Sequence, residues 1–257
     1  MKIRSRLIRA LNRACAVVLL IPAAGFATEA GWPLETMDPD LKNLPSLQNG
    51  FKLYINYCIG CHSLKYQRYE RTADDLGIPH NIALENLVFT GQKIGALMTT
   101  SMDPDLAKNW FGAPPPDLTL VARVRGTDWL YTYLKTFYLD ASRPFGVNNK
   151  VFENVGMPNV LMGLQGLQSA ECTSAEESIG DPVGQECNYL VVQEGTGLMS
   201  SEDFDQAVYD VVNFLYYTGD PSRLERHRMG IFVLLFLVIL YVFTSLLGRE
   251  YQKEVRH

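Results

Sequence analysis

The sequence is poor in cysteine and histidine, with five and four residues among 257, and it contains neither an internal repeat nor a low-complexity run. The missing repeat argues against solenoid architectures, which stack copies of one supersecondary unit. No second CxxC and no HxxxH pair is present, so the closely spaced ligands of a structural zinc site are missing. An excess of basic residues is missing too, which argues against binding to nucleic acid.

Acidic residues are absent from residues 1–27, where five basic residues precede the apolar run "ACAVVLLIPAAGF" and small residues around Ala27. This order predicts a signal peptide over 1–27, whose cleavage removes Cys15. A retained anchor is disfavoured because the apolar run is too short to span a membrane. Without the signal the chain has 18 basic and 28 acidic residues, a net charge near −10. Such a field is compatible with steering a basic partner to the surface.

Charge is absent again from Gly230 to Gly248, over nineteen residues. This is about the length that a bilayer core requires, and a buried core helix would seldom lack polar residues in every turn. The sequence therefore predicts one transmembrane anchor helix over 229–248. Basic residues flank this stretch equally, so the signal peptide must decide its orientation. It places residues 28–228 on the exported side and the tail 249–257 in the cytoplasm.

The stretch "YCIGCHSLKY" contains a CxxCH motif made of Cys58, Cys61 and His62. A redox dithiol, half a zinc site and a haem anchor are the three interpretations. A thioredoxin-like dithiol would follow a strand, whereas the apolar spacing before Cys58 predicts a helix with Ser46 as its N-cap. The haem interpretation explains every residue of the motif: two thiols bind the porphyrin and the next imidazole ligates the iron.

A haem held in this way needs a sixth iron ligand, and methionine opposite histidine is typical of electron-transfer cytochromes. Met157 in "NVGMPNVL" lies between a glycine and a proline that fix a turn, which favours it over Met162 and over His80 in a loop. The run "APPPDLTLVARVRG" predicts an apolar wall for the haem, followed by Arg123 or Arg125 as a partner for a propionate.

The exported domain is predicted to be mainly α-helical with long loops. One helix follows the proline-rich run, with Thr127 or Asp128 as its N-cap and an apolar face made of Leu130, Tyr133, Leu134 and Phe137. A last helix before the anchor is predicted from Glu202 to Tyr217, with an inner face made of Phe204, Val208, Val211, Val212 and Leu215.

Two further cysteines, Cys172 and Cys187, enclose the loop "ECTSAEESIGDPVGQEC". An unpaired thiol is a liability in an oxidising compartment, so we expect a structural disulfide between them. The loop has little apolar content to hold it in place. On the chain-entropy model, a bridge closing a loop of this length contributes about 3 kcal/mol.

The signal, the CxxCH motif, PPPDL, GMP and the C-terminal anchor follow one another in this chain. In this order they resemble the cytochrome c1 family of the cytochrome bc1 complex, in its bacterial form. The most specific segments are "CIGCHSLKYQRY", "MTTSMDPDLAKNWFGAPPPDLTLVARVRG", "GMPNVL" and "RLERHRMG". The resemblance implies a class I cytochrome c-like haem domain with one haem c. Position by position, it implies covalent attachment at Cys58 and Cys61, iron ligation by His62 and Met157, and propionate binding by Arg125 and Tyr131.

The resemblance also implies a role in electron transfer. Electrons pass from the Rieske iron–sulfur protein to this haem and then to a cytochrome c, while cytochrome b oxidises quinol in the same dimeric complex. The implied location is the bacterial inner membrane, with the haem domain in the periplasm. The chain itself is not expected to turn over a substrate.

In many relatives the acidic docking surface is one long separate stretch, whereas here the acidic residues are dispersed. We hypothesise that an acidic group on the bridged loop guides a basic acceptor: Glu171, Glu176, Glu177, Asp181 and Glu186. The alternatives to the family role are an anchored c-type cytochrome of another periplasmic dehydrogenase or oxidase chain, a haem enzyme or sensor with an open iron position, and a thiol–disulfide oxidoreductase.

Overall fold

A computed structural model of the chain describes residues 32–171 and 189–254. The predicted signal peptide, Cys172 and Cys187 lie outside the described residues. In chain order the described helices are α1 (Leu44–Tyr57), α2 (Tyr69–Asp75), α3 (His80–Asn86), α4 (Pro104–Phe111), α5 (Val121–Arg125), α6 (Thr127–Lys135), α7 (Met162–Gln165), α8 (Ser201–Gly219) and α9 (Arg223–Glu254). The strands are β1 (Leu64–Arg68), β2 (Leu97–Met98), β3 (Phe137–Leu139), β4 (Val147–Asn149), β5 (Gln168–Glu171) and β6 (Tyr189–Val192).

The six strands form three separate antiparallel pairs, β1 with β2, β3 with β4 and β5 with β6. The sequence does not predict these strands, because strands of two to five residues are too short to show a period-two pattern. The helices dominate the described part, and the mainly α-helical prediction is confirmed.

Helix α1 begins earlier than predicted, and Ser46 is not its N-cap. The cap is Asn43, whose side-chain oxygen accepts a hydrogen bond from the Ser46 amide at 3.2 Å, and Pro45 occupies the first turn. Both residue types suit these positions, since asparagine caps orphan amides and proline has no amide to satisfy. The Ser46 hydroxyl instead donates to the carboxylate of Asp210 in α8 at 2.6 Å.

The close pairing of α1 with α8 forms the centre of the main core. Gly50 allows the two helices to meet, because a Cβ atom built at this position would lie 1.9 Å from the Asp210 carbonyl oxygen. Phe51 stacks on Phe214 with ring centroids 5.2 Å apart. The buried Asp210 carboxylate accepts from Ser46, Asn49 and Gln206, so it has the partners that a buried charge requires.

The last helix before the anchor, α8, confirms the predicted apolar face. Phe204, Val208, Val211, Val212 and Leu215 are all buried. Ser200 caps this helix by accepting a hydrogen bond from the Asp203 amide. Because α8 also packs against α5 and α6, it joins the N-terminal helix to the segment that follows the prolines.

The predicted N-caps of α6 are wrong. Its N-cap is Gly126, which has no side chain to cap the helix, while Thr127 and Asp128 bind the segment before α1. The Thr127 hydroxyl donates to the carbonyl of Met37, and the Asp128 carboxylate accepts from the Met37 amide at 2.9 Å. The predicted face also ends early, because Phe137 belongs to strand β3.

Helix α9 contains the predicted anchor within one continuous helix. Among the described residues it is the one helix long and apolar enough to cross a membrane, and none of its apolar window is buried against the rest of the chain. Aromatic and aliphatic side chains such as Phe232 and Leu234 are more than half exposed. An apolar helix without protein cover fits a single membrane anchor.

Candidate functional site

The CxxCH motif follows directly from helix α1. Cys58 is the C-cap of the helix, and the chain then turns so that the amides of Cys61 and His62 both donate to the Cys58 carbonyl, at 3.1 and 2.8 Å. Thr100 ties this turn to the strand region by donating from its hydroxyl to the Gly60 carbonyl. The turn therefore holds both thiols and the imidazole in one short, fixed segment.

The His62 imidazole has a defined tautomer. Its Nδ1 atom lies 2.7 Å from the Pro116 carbonyl oxygen, which can only accept, so Nδ1 carries the proton and Nε2 keeps a free lone pair. Burial lowers the pKa of His62, which outweighs the opposing effects of the Pro116 carbonyl and the Asp117 carboxylate. A neutral imidazole oriented through its other nitrogen is the form that binds a metal.

The proline-rich run is joined to the motif by main-chain hydrogen bonds. The Leu118 amide donates to the Ser63 carbonyl at 2.9 Å, and Asp117 accepts from the Lys65 amide at 2.7 Å. Prolines 114–116 themselves have no amide hydrogen, so they line a surface without adding donors to it. This explains why an apolar wall can run next to the imidazole.

Met157 belongs to a loop in which the preceding residues are held by several contacts. Arg143 donates to the side-chain and main-chain oxygens of Asn154, at 2.9 and 3.0 Å. Gly156 lies so close to α4 that a Cβ atom there would be 2.9 Å from the Phe111 carbonyl oxygen. The neighbouring Val155 is buried, so the backbone that carries the methionine is held in place.

A cavity of about 440 Å³ lies between these segments. Five of the predicted site residues line it together: Cys58, Cys61, His62, Arg125 and Met157. Most of the remaining lining is apolar and comes from the prolines, α6, the Met157 loop and α8. Protein interiors are otherwise close-packed, and an apolar cavity of this volume with a few convergent polar groups is typical of a cofactor site.

Two alternatives from the sequence lie away from the cavity. Met162 is not among the residues that line it, although both Met157 and Met162 pack against the small second core of Phe137, Val147 and Val155. His80 begins α3, where its Nε2 contacts the Asp74 carboxylate at 2.8 Å. Among the methionines considered, the geometry therefore favours Met157.

The two arginines of α5 have different surroundings. Arg123 donates to the Gly219 carbonyl at the end of α8, whereas Arg125 lines the cavity with its guanidinium 5.0 Å from the centre of the Trp129 ring. Tyr131 is not brought to the cavity. Its ring lies under the ammonium group of Lys135, 4.6 Å from the ring centre.

Trp129 and Tyr133 line the cavity, although the sequence analysis gave neither a cofactor role. Their rings stack with centroids 4.8 Å apart, and the Tyr133 hydroxyl donates to the Met157 sulfur at 3.4 Å. Trp129 and Tyr133 are four residues apart in α6, and this interval was the available signal because it places both side chains on one side of a helix. Arg125 precedes the break at Gly126, so it is not part of that helical pattern.

The thiols lack the properties of a redox pair. Desolvation raises the pKa of Cys58 to about 12, with a further contribution from Cys61, and burial also raises the pKa of Cys61. Thiol–disulfide exchange needs a thiolate, which a lowered pKa provides. The raised pKa values of both thiols therefore disfavour the dithiol interpretation.

A CxxCH turn, an oriented histidine and a fixed methionine around one apolar cavity are the features of a c-type cytochrome. The model of the "Cytochrome C1 family" matches residues 40–255 of the chain. The chain belongs to the cytochrome c1 family.

The chain is similar to several curated proteins and to a chain of a solved structure. Cytochrome c1 of Allochromatium vinosum is 49% identical over 93% of this chain and 96% of its own length. The ammonia monooxygenase gamma subunit of Nitrosomonas europaea is 38% identical over 93% of this chain and 95% of its own. A chain of the solved structure "Hyperthermophilic respiratory Complex III" aligns over 97% of both chains with 14% identity and a TM-score of 0.44.

Proposed function

We propose that this chain is the cytochrome c1 subunit of a ubiquinol–cytochrome c oxidoreductase, and that it accepts electrons from the Rieske iron–sulfur protein and passes them to a cytochrome c. The observation that carries the proposal is one apolar cavity, which collects residues from the CxxCH turn and from the distant Met157 loop. Membership of the cytochrome c1 family and the membrane anchor support the same role.

The residues present fit one haem c. In the proposed site Cys58 and Cys61 would hold the haem covalently through their thiols, while His62 and Met157 would be the iron ligands. The His62 tautomer supports this arrangement, because a free Nε2 lone pair is what iron binding requires. Arg125 is the proposed partner of a propionate, since it is the arginine of α5 that lines the cavity. Tyr131 is left out of this set because of its position beside Lys135.

The haem supplies one-electron redox chemistry when bound, and the chain supplies position and surroundings. With both His62 and Met157 bound to it, the iron would have no position open for substrate or oxygen. The apolar lining excludes water, and outer-sphere electron transfer needs no proton donor or acceptor from the chain. This is why the chain itself is not expected to turn over a substrate.

The finer arrangement is also part of the proposal. The signal peptide would place the haem domain in the periplasm of a bacterial inner membrane, with α9 as the single span and a cytoplasmic C-terminus. Cytochrome b and the Rieske protein are the proposed partners within a dimeric complex. A bridge between Cys172 and Cys187 is supported by the strands that flank them, because Glu171 pairs directly with Tyr189 at the end of β5 and β6.

The deciding experiment is a reduced-minus-oxidised optical spectrum of membranes that contain the tagged chain, with quinol as the reductant. The proposal predicts a c-type band accompanied by b-type haem, reduced by quinol and lost when the Rieske protein is removed. A His62→Ala variant should lose the c-type signal, whereas a dithiol enzyme would keep part of its activity.

A second candidate is suggested by the relative from Nitrosomonas europaea, which is named as a subunit of ammonia monooxygenase. In that role the chain would be an anchored c-type cytochrome that serves an oxygenase. A c-type band that stays indifferent to quinol and to removal of the Rieske protein would favour this candidate over the proposed one.

A further inference from the structure

A single hydroxyl group contacts the sulfur atom of Met157. Tyr133 Oη donates a hydrogen bond to Met157 Sδ, with 3.4 Å between oxygen and sulfur. A thioether is only a weak acceptor, and a methionine that fills a core needs no donor at its sulfur. The pairing of a polar donor with this sulfur atom, inside an otherwise apolar cavity, therefore requires an explanation.

Three contacts hold Tyr133, two through its ring and one through its main chain. Its ring stacks on Trp129 with an angle of 10° between the planes, and meets the edge of Phe137 with centroids 5.1 Å apart. Its main-chain carbonyl accepts a hydrogen bond from the Asn149 side chain at 2.7 Å. The hydroxyl group is consequently fixed in position by contacts that do not involve Met157.

The backbone that leads into Met157 is held independently of Tyr133. The contact of Gly156 with the Phe111 carbonyl and the two hydrogen bonds from Arg143 to Asn154 hold the loop that carries Met157. Two separately held segments therefore meet at one oxygen–sulfur contact. Such a preformed contact is how a protein sets the orientation of a ligand atom.

We propose that Tyr133 is a positioning residue for the Met157 thioether, and that its hydrogen bond raises the reduction potential of the bound haem. This inference rests on the proposed function, in which Met157 ligates the iron. A thioether sulfur has two lone pairs, so it can bind iron through one and accept a hydrogen bond through the other. The hydrogen bond withdraws electron density from sulfur and weakens its donation to iron. Because oxidised iron gains more from that donation, the reduced state is favoured.

The test is a Tyr133→Phe variant of the full chain in its membrane complex, since phenylalanine keeps the stacked ring and removes the hydroxyl. In a redox titration, the ratio of reduced to oxidised c-type haem at a fixed ambient potential should fall by roughly two- to tenfold, the equivalent of one hydrogen bond. The weak far-red absorption band that depends on methionine ligation should shift at the same time.

Tyr209→Phe is the matched control. The Tyr209 hydroxyl also donates one hydrogen bond, to the Asp38 carbonyl at 3.1 Å, and Tyr209 does not line the cavity. This variant should leave both the redox ratio and the far-red band as in the parent chain. If Tyr133→Phe only lowers the melting temperature and leaves the ratio and the band unchanged, the residue is merely structural and the inference is overturned.

A Met157→Leu variant separates this inference from the proposed function. If Met157→Leu abolishes the far-red band while Tyr133→Phe alters nothing, the ligand assignment stands and only the role of Tyr133 is refuted. If Met157→Leu itself leaves the band and the redox ratio unchanged, Met157 is not the ligand, and the ligand assignment and this inference fall together.

Discussion

The hydrogen bond between His62 and the Pro116 carbonyl is the residue-scale feature that most limits what the site can do. It fixes the tautomer, and burial lowers the pKa of the imidazole, which favours its neutral form. A neutral histidine held through Nδ1 keeps its Nε2 lone pair free, which is the form that binds a metal. The hydrogen bond therefore prepares His62 for the proposed role of an iron ligand.

The ligand assignment leads to a prediction at Met157. Met157→Leu removes the sulfur atom and should lower the haem potential, because methionine ligation favours the reduced iron. Redox titration followed at the c-type band measures this change, and covalent attachment should survive because both cysteines are untouched. The control is Met162→Leu, which changes a methionine of the second core and should leave the potential as it is. If instead Met162→Leu lowers the potential and Met157→Leu does not, Met162 is the ligand.

At the residue scale the sequence predicted which residues meet at the cavity better than it predicted local capping. The CxxCH motif and Met157 line one cavity, while their roles towards a haem stay a prediction. Both lie in short motifs of adjacent residues, so no tertiary information was needed to select them. Ser46 and Asp128 were wrong as N-caps because their side chains bind partners far away in sequence, Asp210 and Met37. A cap and a tertiary contact look identical in a sequence.

At the element scale, the close contact between α1 and α8 is the packing feature at the centre of the main core. Gly50→Ala places a Cβ atom 1.9 Å from the Asp210 carbonyl oxygen, so the helices must separate. We expect a loss of about 1 to 3 kcal/mol in the free energy of unfolding, as for other overpacked cores. Thermal or denaturant unfolding of the haem protein measures it.

Gly163→Ala is the control for this prediction. No atom lies within 4 Å of a Cβ built at Gly163, which is exposed in α7, so its substitution should change stability by less than about 0.5 kcal/mol. Equal stability of the two variants would contradict the close approach of α1 and α8.

The predicted disulfide is a second element-scale case. The pairing of Glu171 with Tyr189 closes the base of the segment that contains both cysteines. A Cys172→Ser, Cys187→Ser double variant should lose about 3 kcal/mol of stability if the bridge forms. Unfolding with and without reductant measures this, because the double variant should no longer respond to reductant. Normal stability in the double variant would refute a structural bridge.

The sequence predicted an element correctly where its apolar pattern extends over several turns, and it missed elements that are short. The five apolar positions predicted for α8 repeat over three turns, and all five are buried. Strands such as β2, with two residues, and the helix break at Gly126 produce no periodic signal. That break also separates Arg125 in α5 from Trp129 and Tyr133 in α6, and Tyr131 was named only because the family resemblance implied it.

At the scale of the whole molecule, the anchor contributes nothing to the core. The apolar window of α9 is entirely unburied, whereas α8 completes the main cluster of buried residues. A chain that ends at Ser222 should therefore fold as a soluble protein with the c-type spectrum of the full chain. Fractionation followed by spectroscopy checks this, with the detergent-extracted full chain as reference. A truncated chain that loses its haem or stays in the membrane fraction would contradict it.

The pairing of α1 with α8 has a consequence for how the protein is made. The haem motif lies at the end of the first described helix, while the partner of that helix ends at Gly219, just before α9 begins at Arg223. In the proposed export from the N-terminus, almost all of the haem domain would emerge before this core can close. Until then the CxxCH segment would stay accessible for haem attachment. The distance along the chain between these two helices would therefore set the time available for attachment, which would end when α8 pairs with α1.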